Sequence, residues 1–424
     1  MLTFQDLSFI ELDKTSQSEK DKPNILRVSL YKYFYKEFER QEIIENIADY
    51  TVKSGKIHFK GISEEQAIKK FMRFFGKYKK DIIYSINSHK AIFVDEDLGL
   101  PLIGLNFLGI LDKGSEIIEI KPITGCNADC NFCSVDEGIS SRKMVDFVID
   151  KDYLISQLND LLEFKKSKDM EIWINPHGEP TLYGKLAELC SDILSSEHVS
   201  KATIITNGVL LDRDMVDDLK SVAHKHKKEI KIALSISDLS KKDNIMGNSY
   251  NIDAVLKNLN HIAESLPLSI TPVWIKGAND YDIKNIIELS KELSEKSQKH
   301  LNQDVNVSIQ KFSPNKFGRN PIKERPWDEF FNDLKQLERK TGANLVVKLG
   351  KIKETPQLPL ACKKGDIIQV KVLCDSRNPK DRIGIFETKF GNRAVVLIGC
   401  NATKGSVKAK VVQYMYNMIV AACS

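Results

Sequence analysis

From about Ile117 onward the chain alternates short runs of β-branched and aliphatic residues with longer stretches that are apolar on one side only. The short runs predict buried strands: Ile117–Ile120, Glu171–Asn175, Thr203–Thr206, Lys231–Ser237, Ser269–Trp274 and Val305–Gln310. The longer stretches predict amphipathic helices; Leu186, Leu189, Cys190, Ile193 and Leu194 recur at the spacing of one helical face. Six such units predict an α/β fold whose parallel sheet carries helices on one side and curls into a full or partial barrel. On sheets of that kind reactive groups collect at the carboxyl ends of the strands.

Both flanks depart from this pattern. Over residues 1–110 the spacing of Leu30, Phe34 and Phe38 predicts a helical front segment. Ser63-x-x-Gln66 is a capping box opening a second helix that runs to Lys80. In that helix Phe71, Phe74, Phe75 and Tyr78 form a core face and Lys69, Lys70, Arg73 and Lys77 a solvated one. Ala91–Val94, the turn DEDLGLP and Leu102–Ile103 predict a hairpin leading into the core unit, residues 111–349. Late in that unit Ser313–Trp327 interrupts the pattern with three prolines, before a last helix, Asp328–Thr341, and a strand, Leu345–Leu349. Residues 350–361 then have the proline-rich, aperiodic composition of a linker. Across 362–424 the runs Ile367–Leu373, Ile383–Glu387, Arg393–Ile398 and Ser406–Gln413, with glycines at the corners, predict a small β-barrel of the kind that binds oligonucleotides.

Composition narrows the classes. A 424-residue chain with 29% charged and 42% hydrophobic residues is neither disordered nor collagen-like, and its length suits two to three domains. No run approaches the ~18 apolar residues of a membrane span. The start, MLTFQDLSFIELDK, lacks a basic opening and an apolar centre, so a cytoplasmic chain with reduced thiols is expected. The net charge of +5 is uneven: residues 361–424 carry +7 and the rest −2. A basic terminal segment suggests binding of a polyanion, although a lysine-rich soluble surface gives the same count.

Three of the eight cysteines fall within eight residues, as Cys126, Cys130 and Cys133 in Gly-Cys-Asn-Ala-Asp-Cys-Asn-Phe-Cys, just after the first core strand. One loop with this C-x3-C-x2-C spacing can wrap three thiolates around a single inorganic centre. Closed zinc sites use four protein ligands, and no fourth cysteine or histidine lies nearby. Three ligands on a four-iron cluster would leave one iron open, as catalytic metal sites leave a position open.

The loop resembles that of the radical S-adenosylmethionine enzymes, which place C-x3-C-x2-C, with an aromatic before the third cysteine (here Phe132), after the first strand of a (βα)6 partial TIM-type barrel. The resemblance covers roughly Ile117 to Gln310. It implies a [4Fe–4S] cluster on Cys126, Cys130 and Cys133, whose open iron chelates S-adenosylmethionine and cleaves it reductively to a 5′-deoxyadenosyl radical. It further implies cofactor contacts from Gly178-Glu179-Pro180, from Thr206 and Asn207 before Gly208, and from Ser235 and Ser237, with Gly277-Ala-Asn279-Asp280 as the family's turn after the fifth strand. Each of these short motifs is common by itself; their order at successive strand ends carries the resemblance. The implied electron donor is a ferredoxin or flavodoxin.

The terminal runs resemble a TRAM domain, a small barrel found in RNA-modifying enzymes, over about Cys362 to Ala422. Lys371, Arg382, Arg393, Lys404, Lys408 and Lys410 are candidate phosphate ligands, and Tyr414 and Tyr416 candidate stacking partners. A radical generator joined to such a barrel implies modification of a nucleotide in transfer or ribosomal RNA by methylation, methylthiolation or a related C–H functionalisation. Methylthiolating relatives carry a further N-terminal cysteine triad, and residues 1–125 hold no cysteine. Alternative readings are a radical enzyme acting on a protein or activating a glycyl-radical enzyme, and an RNA-binding protein with a structural cluster. Among other groups, Cys190 fits an inert core thiol, Cys423 a terminal methyl carrier or an incidental thiol, and His177 a hydrogen-bonded strand-end residue. Glu137, Arg142 and Lys143 are candidate contacts to cofactor or substrate.

Overall fold

Alternation, not helical spacing, governs the front of the chain. The computed structural model describes residues 4–12, 25–242, 244–316, 318–346 and 352–423. In it β1 (Leu7–Leu12), β2 (Ile25–Leu30) and β3 (Phe34–Glu39) form an antiparallel meander where a helix was expected. Leu26, Val28, Leu30, Phe34 and Phe38 are all buried. A period of two on either side of a short turn reproduces a spacing of four, which is why the pattern reads as helical. Tyr31 and Lys32 make that turn at φ of 47° and 67°.

After α1 (Arg40–Asn46) and the hairpin β4 (Tyr50–Lys53) with β5 (Lys56–Phe59), helix α2 (Glu64–Gly76) starts at the expected capping box, Ser63 Oγ accepting from Gln66 N at 3.3 Å. It buries Phe71, Phe74 and Phe75 and leaves Lys69 and Lys70 exposed. β6 (Ile82–Tyr84) and β7 (Lys90–Val94) follow, but Leu102–Ile103 forms no strand. β7 pairs instead with β6 and, in parallel, with β10 (Val145–Ile149), which leaves the cysteine loop to join the front sheet. Between them β8 (Gly109–Asp112) and β9 (Ile117–Lys121) open the core sheet.

That sheet adds β11 (Met170–Ile174), β12 (Val199–Thr206), β13 (Glu229–Leu234), β14 (Leu268–Ile270) and β16 (Asn306–Val307), while β15 (Val273–Trp274) and β17 (Gln310–Lys311) lie outside it. The order is β16-β14-β13-β12-β11-β9-β8, parallel except for β8, and β15 pairs with β17 beyond it. Pro272 splits the expected fifth strand, because it has no N–H to give the ladder. The connecting helices are α3 (Lys151–Lys165), α4 (Leu186–Ser195), α5 (Arg213–His226), α6 (Ile252–Ser265) and α7 (Asp280–Leu301), with α8 (Trp327–Thr341) after the last strand. Ile118, Ile120, Ile172, Ile174, Ile204 and Ile232 are fully buried on one face, while Glu119, Lys121, Trp173, Thr203 and Lys231 alternate with them on the other. The sheet therefore has a polar inner side, consistent with a barrel left partly open.

Leu345 and Val346 lie outside any strand, and the rest of that expected strand lies outside the described residues. The segment read as a linker is pinned to the core: Thr355 N donates to Gly114 O at 3.0 Å and Lys165 Nζ to Thr355 Oγ1 at 2.7 Å. The terminal region is a closed five-stranded barrel, ordered β18-β19-β20-β22-β21. Its strands are β18 (Ile367–Asp375), β19 (Arg382–Phe386), β20 (Arg393–Ile398), β21 (Ser406–Met415) and β22 (Met418–Cys423), around Val370, Val395, Leu397, Val411 and Ile419. It is docked on the core by backbone bonds, Ala394 N to Ile103 O at 2.8 Å and Ile419 N to Gly104 O at 2.9 Å. Among the described residues no helix is long and apolar enough to cross a membrane.

Candidate functional site

The cysteine loop leaves β9 against the exit of β11. Gly125 N donates to His177 O at 3.2 Å and Glu179 N to Gly125 O at 3.0 Å. The approach requires glycine: Gly178 has φ +151°, and a Cβ there would lie 2.1 Å from Gly125 O. Cys126, Cys130 and Cys133 are unbridged and half-buried. Cys126 Sγ accepts from Ala128 N at 3.4 Å and Asn207 Nδ2 at 3.6 Å, and Cys133 Sγ from Glu137 N at 3.3 Å. Cys130 Sγ faces Met246 Sδ at 3.7 Å. Burial pushes all three thiols up, Cys130 to about 12.

Two arginines from distant parts of the chain hold the loop. Arg319 donates to Asp136 Oδ1 at 2.9 Å, Cys130 O at 3.2 Å and Asp129 Oδ1 at 3.3 Å. Arg377, from the β18–β19 loop of the barrel, grips Glu137 at 2.5 and 2.7 Å and Asp146 at 3.0 Å. These last three side chains are at most 4% exposed. Glu137 is thus committed to the barrel and does not face a ligand. Arg142 pairs with Asp136, and Lys143 reaches Asn378 Oδ1 at 3.3 Å.

The strand-end motifs divide into those that line the loop and those that brace it. Glu179 is a brace: its carboxylate accepts from Thr181 N, Thr181 Oγ1, Thr206 Oγ1 and Asn207 N at 2.5–3.0 Å. Burial raises its pKa despite those four donors. Pro180 is buried at the start of a short 3-10 turn. Ser237 is also a brace, its Oγ accepting from Val273 N at 2.9 Å. Asn279 Nδ2 ties Ser237 O to Val273 O, and Asp280 accepts from Trp274 Nε1. Asn207 alone reaches from a strand end to a cysteine sulfur. Phe132 and Ser235 are half-buried, and Ser235 Oγ meets Thr271 Oγ1 at 3.3 Å. His177 is held neutral by burial and by nearby Lys121, Arg377 and Lys143.

In the barrel Lys371, Lys404, Lys408 and Lys410 are exposed. Arg393 is not: it is 3% exposed, and burial lowers its pKa, so it cannot meet a phosphate as expected. Arg382 is half-buried beside Asp375 and Asp381 O. Tyr414 is tied to Asn417, whereas Tyr416 is exposed at the β21–β22 turn. Cys190 is buried in α4; Cys423 is half-buried in β22 beside Cys400, its thiol pushed up to about 12. Sequence reasoning missed Arg319 and Arg377, because nothing local marks a residue whose partner lies more than 180 positions away.

Three thiols on one loop, with backbone and amide N–H groups aimed at two of the sulfurs, are a soft donor set suited to an iron–sulfur cluster. Among the described residues no three His, Cys, Asp or Glu side chains converge as ligands of a single metal ion.

Comparison with known proteins matches part of the chain to one family. Residues 120–290 match the Radical SAM superfamily, so the chain carries a radical SAM domain. Members of that superfamily bind a [4Fe–4S] cluster and S-adenosylmethionine. An uncharacterised protein of Methanocaldococcus jannaschii is 29% identical over 362 residues, 79% of this chain and 81% of the relative. GTP 3′,8-cyclases of Clostridium acetobutylicum and Chlorobaculum tepidum are each 24% identical, over 43% and 42% of this chain. Those matches span only 54% and 50% of the cyclases. A spore photoproduct lyase variant with bound AdoMet and dinucleoside spore photoproduct superposes with a TM-score of 0.44 at 14% identity, covering 61% of this chain and 79% of the lyase.

Proposed function

We infer that this chain is a radical S-adenosylmethionine enzyme that modifies a nucleotide in transfer or ribosomal RNA. Cys126, Cys130 and Cys133 would hold the cluster, and the chemistry such a cluster supplies when bound is one-electron reductive cleavage of S-adenosylmethionine. Asn207 and the N–H groups of Ala128 and Glu137 stabilise charge on the sulfurs, and hydrogen bonds of this kind set cluster potentials. Gly178 keeps the β11 exit against the loop, an approach that only a residue without a Cβ allows. Glu179 fixes the spacing of the β11 and β12 ends rather than touching the cofactor. The electron for that cleavage would come from a ferredoxin or flavodoxin.

One observation carries the RNA assignment: a closed barrel with an exposed lysine row is clamped directly to the cysteine loop. Lys410 pairs with Ile367 and Lys408 with Gln369, and Lys371 follows on the same outward face, so three ammonium groups sit on two neighbouring strands. The cyclase relatives act, by name, on a nucleotide, which agrees with a nucleotide as the target. Nucleoside mass spectrometry of total RNA from a deletion strain tests the reading: one modified nucleoside should vanish and return with the wild-type gene. Unchanged RNA would favour a protein substrate.

A further inference from the structure

The geometry points to Arg377 of the C-terminal barrel as a positioning residue for the cysteine loop, making the barrel a structural part of the radical centre in addition to the RNA-binding role proposed for its lysine row. The inference rests on the reading that Cys133 holds the cluster. Arg377 makes two charge-assisted bonds to Glu137, at 2.5 and 2.7 Å, and one to Asp146 at 3.0 Å. Glu137 in turn gives its backbone N–H to Cys133 Sγ at 3.3 Å. Asp146 is fixed from the other units, accepting from Thr124 Oγ1 at 2.8 Å and Asn87 Nδ2 at 2.7 Å. Met144 N donates to Arg377 O at 2.9 Å, so the barrel holds the loop by backbone as well. A dry bidentate ion pair is costly to break from one side, since the partner is left charged and buried. With Arg377 removed, Glu137 must either take up a proton or open the loop to water; in both cases the bonds that pin its side chain are lost, and its backbone N–H beside Cys133 Sγ loses that support.

Full-length metal-free protein provides the test. Wild type, Arg377→Gln, Arg377→Lys and Glu137→Gln are treated with iodoacetamide, and alkylation of each cysteine is followed by mass spectrometry. Cys133 should react about tenfold faster in Arg377→Gln, while Cys190, buried in α4, stays protected as the internal reference. After anaerobic loading, cluster affinity should fall about tenfold, the lower end for groups one step behind metal ligands. The double variant Arg377→Gln/Glu137→Gln should recover toward wild type, because two neutral amides can share the same space. If Cys190 also becomes reactive, the fold has been lost in that variant, and Arg377→Lys decides: fast Cys133 with protected Cys190 supports the assignment. Equal Cys133 reactivity in wild type and every folded single variant overturns it. Should wild-type protein take up no cluster, the cluster reading fails on that measurement alone, and the thiol comparison still reports on the clamp.

Discussion

Gly178→Ala should separate the cysteine loop from the strand end that supports it. The new Cβ would lie 2.1 Å from Gly125 O and 2.8 Å from Gly125 C and N, all backbone atoms that cannot rotate away. The φ of +151° is also a region that L-residues rarely occupy. To relieve the overlap the two segments must part, breaking the bonds Gly125 N to His177 O and Glu179 N to Gly125 O. Two such bonds are worth about 1 kcal/mol each, and residual backbone strain adds roughly 2 kcal/mol, for a total near ~4 kcal/mol. At about 2 °C per kcal/mol for a large domain, the apo-protein should melt roughly 8 °C earlier. Thermal unfolding followed by circular dichroism measures the shift, and iron content after anaerobic reconstitution should fall in parallel. A variant that melts within a degree or so of wild type and takes up full iron would refute the reasoning, because the close approach would then not be obligatory.

Other outcomes follow from the same geometry. Glu179→Gln leaves four donors facing an amide, so it should destabilise the apo-protein by about 3 kcal/mol in chemical denaturation. Burial raises the Asp146 pKa, but Arg377, His89, Asn87 and Thr124 outweigh it and the net shift is downward; the stability this carboxylate contributes is present above the ordinary aspartate range and lost as pH falls through its lowered value, and Asp146→Asn should flatten that acid limb in pH-dependent melts. Changing Lys371, Lys408 and Lys410 to Ala should weaken RNA binding and reduce the log–log salt slope by about 0.7–0.9 for each phosphate left without its lysine, whereas Arg393→Gln should leave that slope unchanged. Cys423→Ala should retain full turnover, since its thiol is half-buried in β22 beside Cys400, inside the barrel.

The chemistry-bearing loop was legible because its information is local: three thiols and an aromatic within eight residues, directly after a β-branched run. The core strands and α2 were legible for the same reason, each announced by its own period or cap. The front meander was misread because Leu30, Phe34 and Phe38 satisfy two periods at once, and only the partner strands decide between them. Arg393 looked like a surface cation since composition carries no burial, whereas its position at the β20 start, against the core, makes it an interior one. Glu179 and Ser237 occupy the strand ends where ligand contacts were expected, and their side-chain oxygens already accept from neighbouring backbone N–H groups and, at Glu179, from two threonine hydroxyls. The clamps by Arg319 and Arg377 depend wholly on tertiary placement. The barrel's strands were visible, but its attachment to the cysteine loop was not.

The central claim, that Cys126, Cys130 and Cys133 together bind a cluster able to engage S-adenosylmethionine, is tested most directly by electron paramagnetic resonance of anaerobically reconstituted, dithionite-reduced protein. About four irons and four sulfides per chain are expected, with a signal that changes when S-adenosylmethionine is added and disappears when any of the three cysteines is replaced by alanine. Stoichiometric zinc with no such signal, or a signal indifferent to the cofactor, would contradict the account.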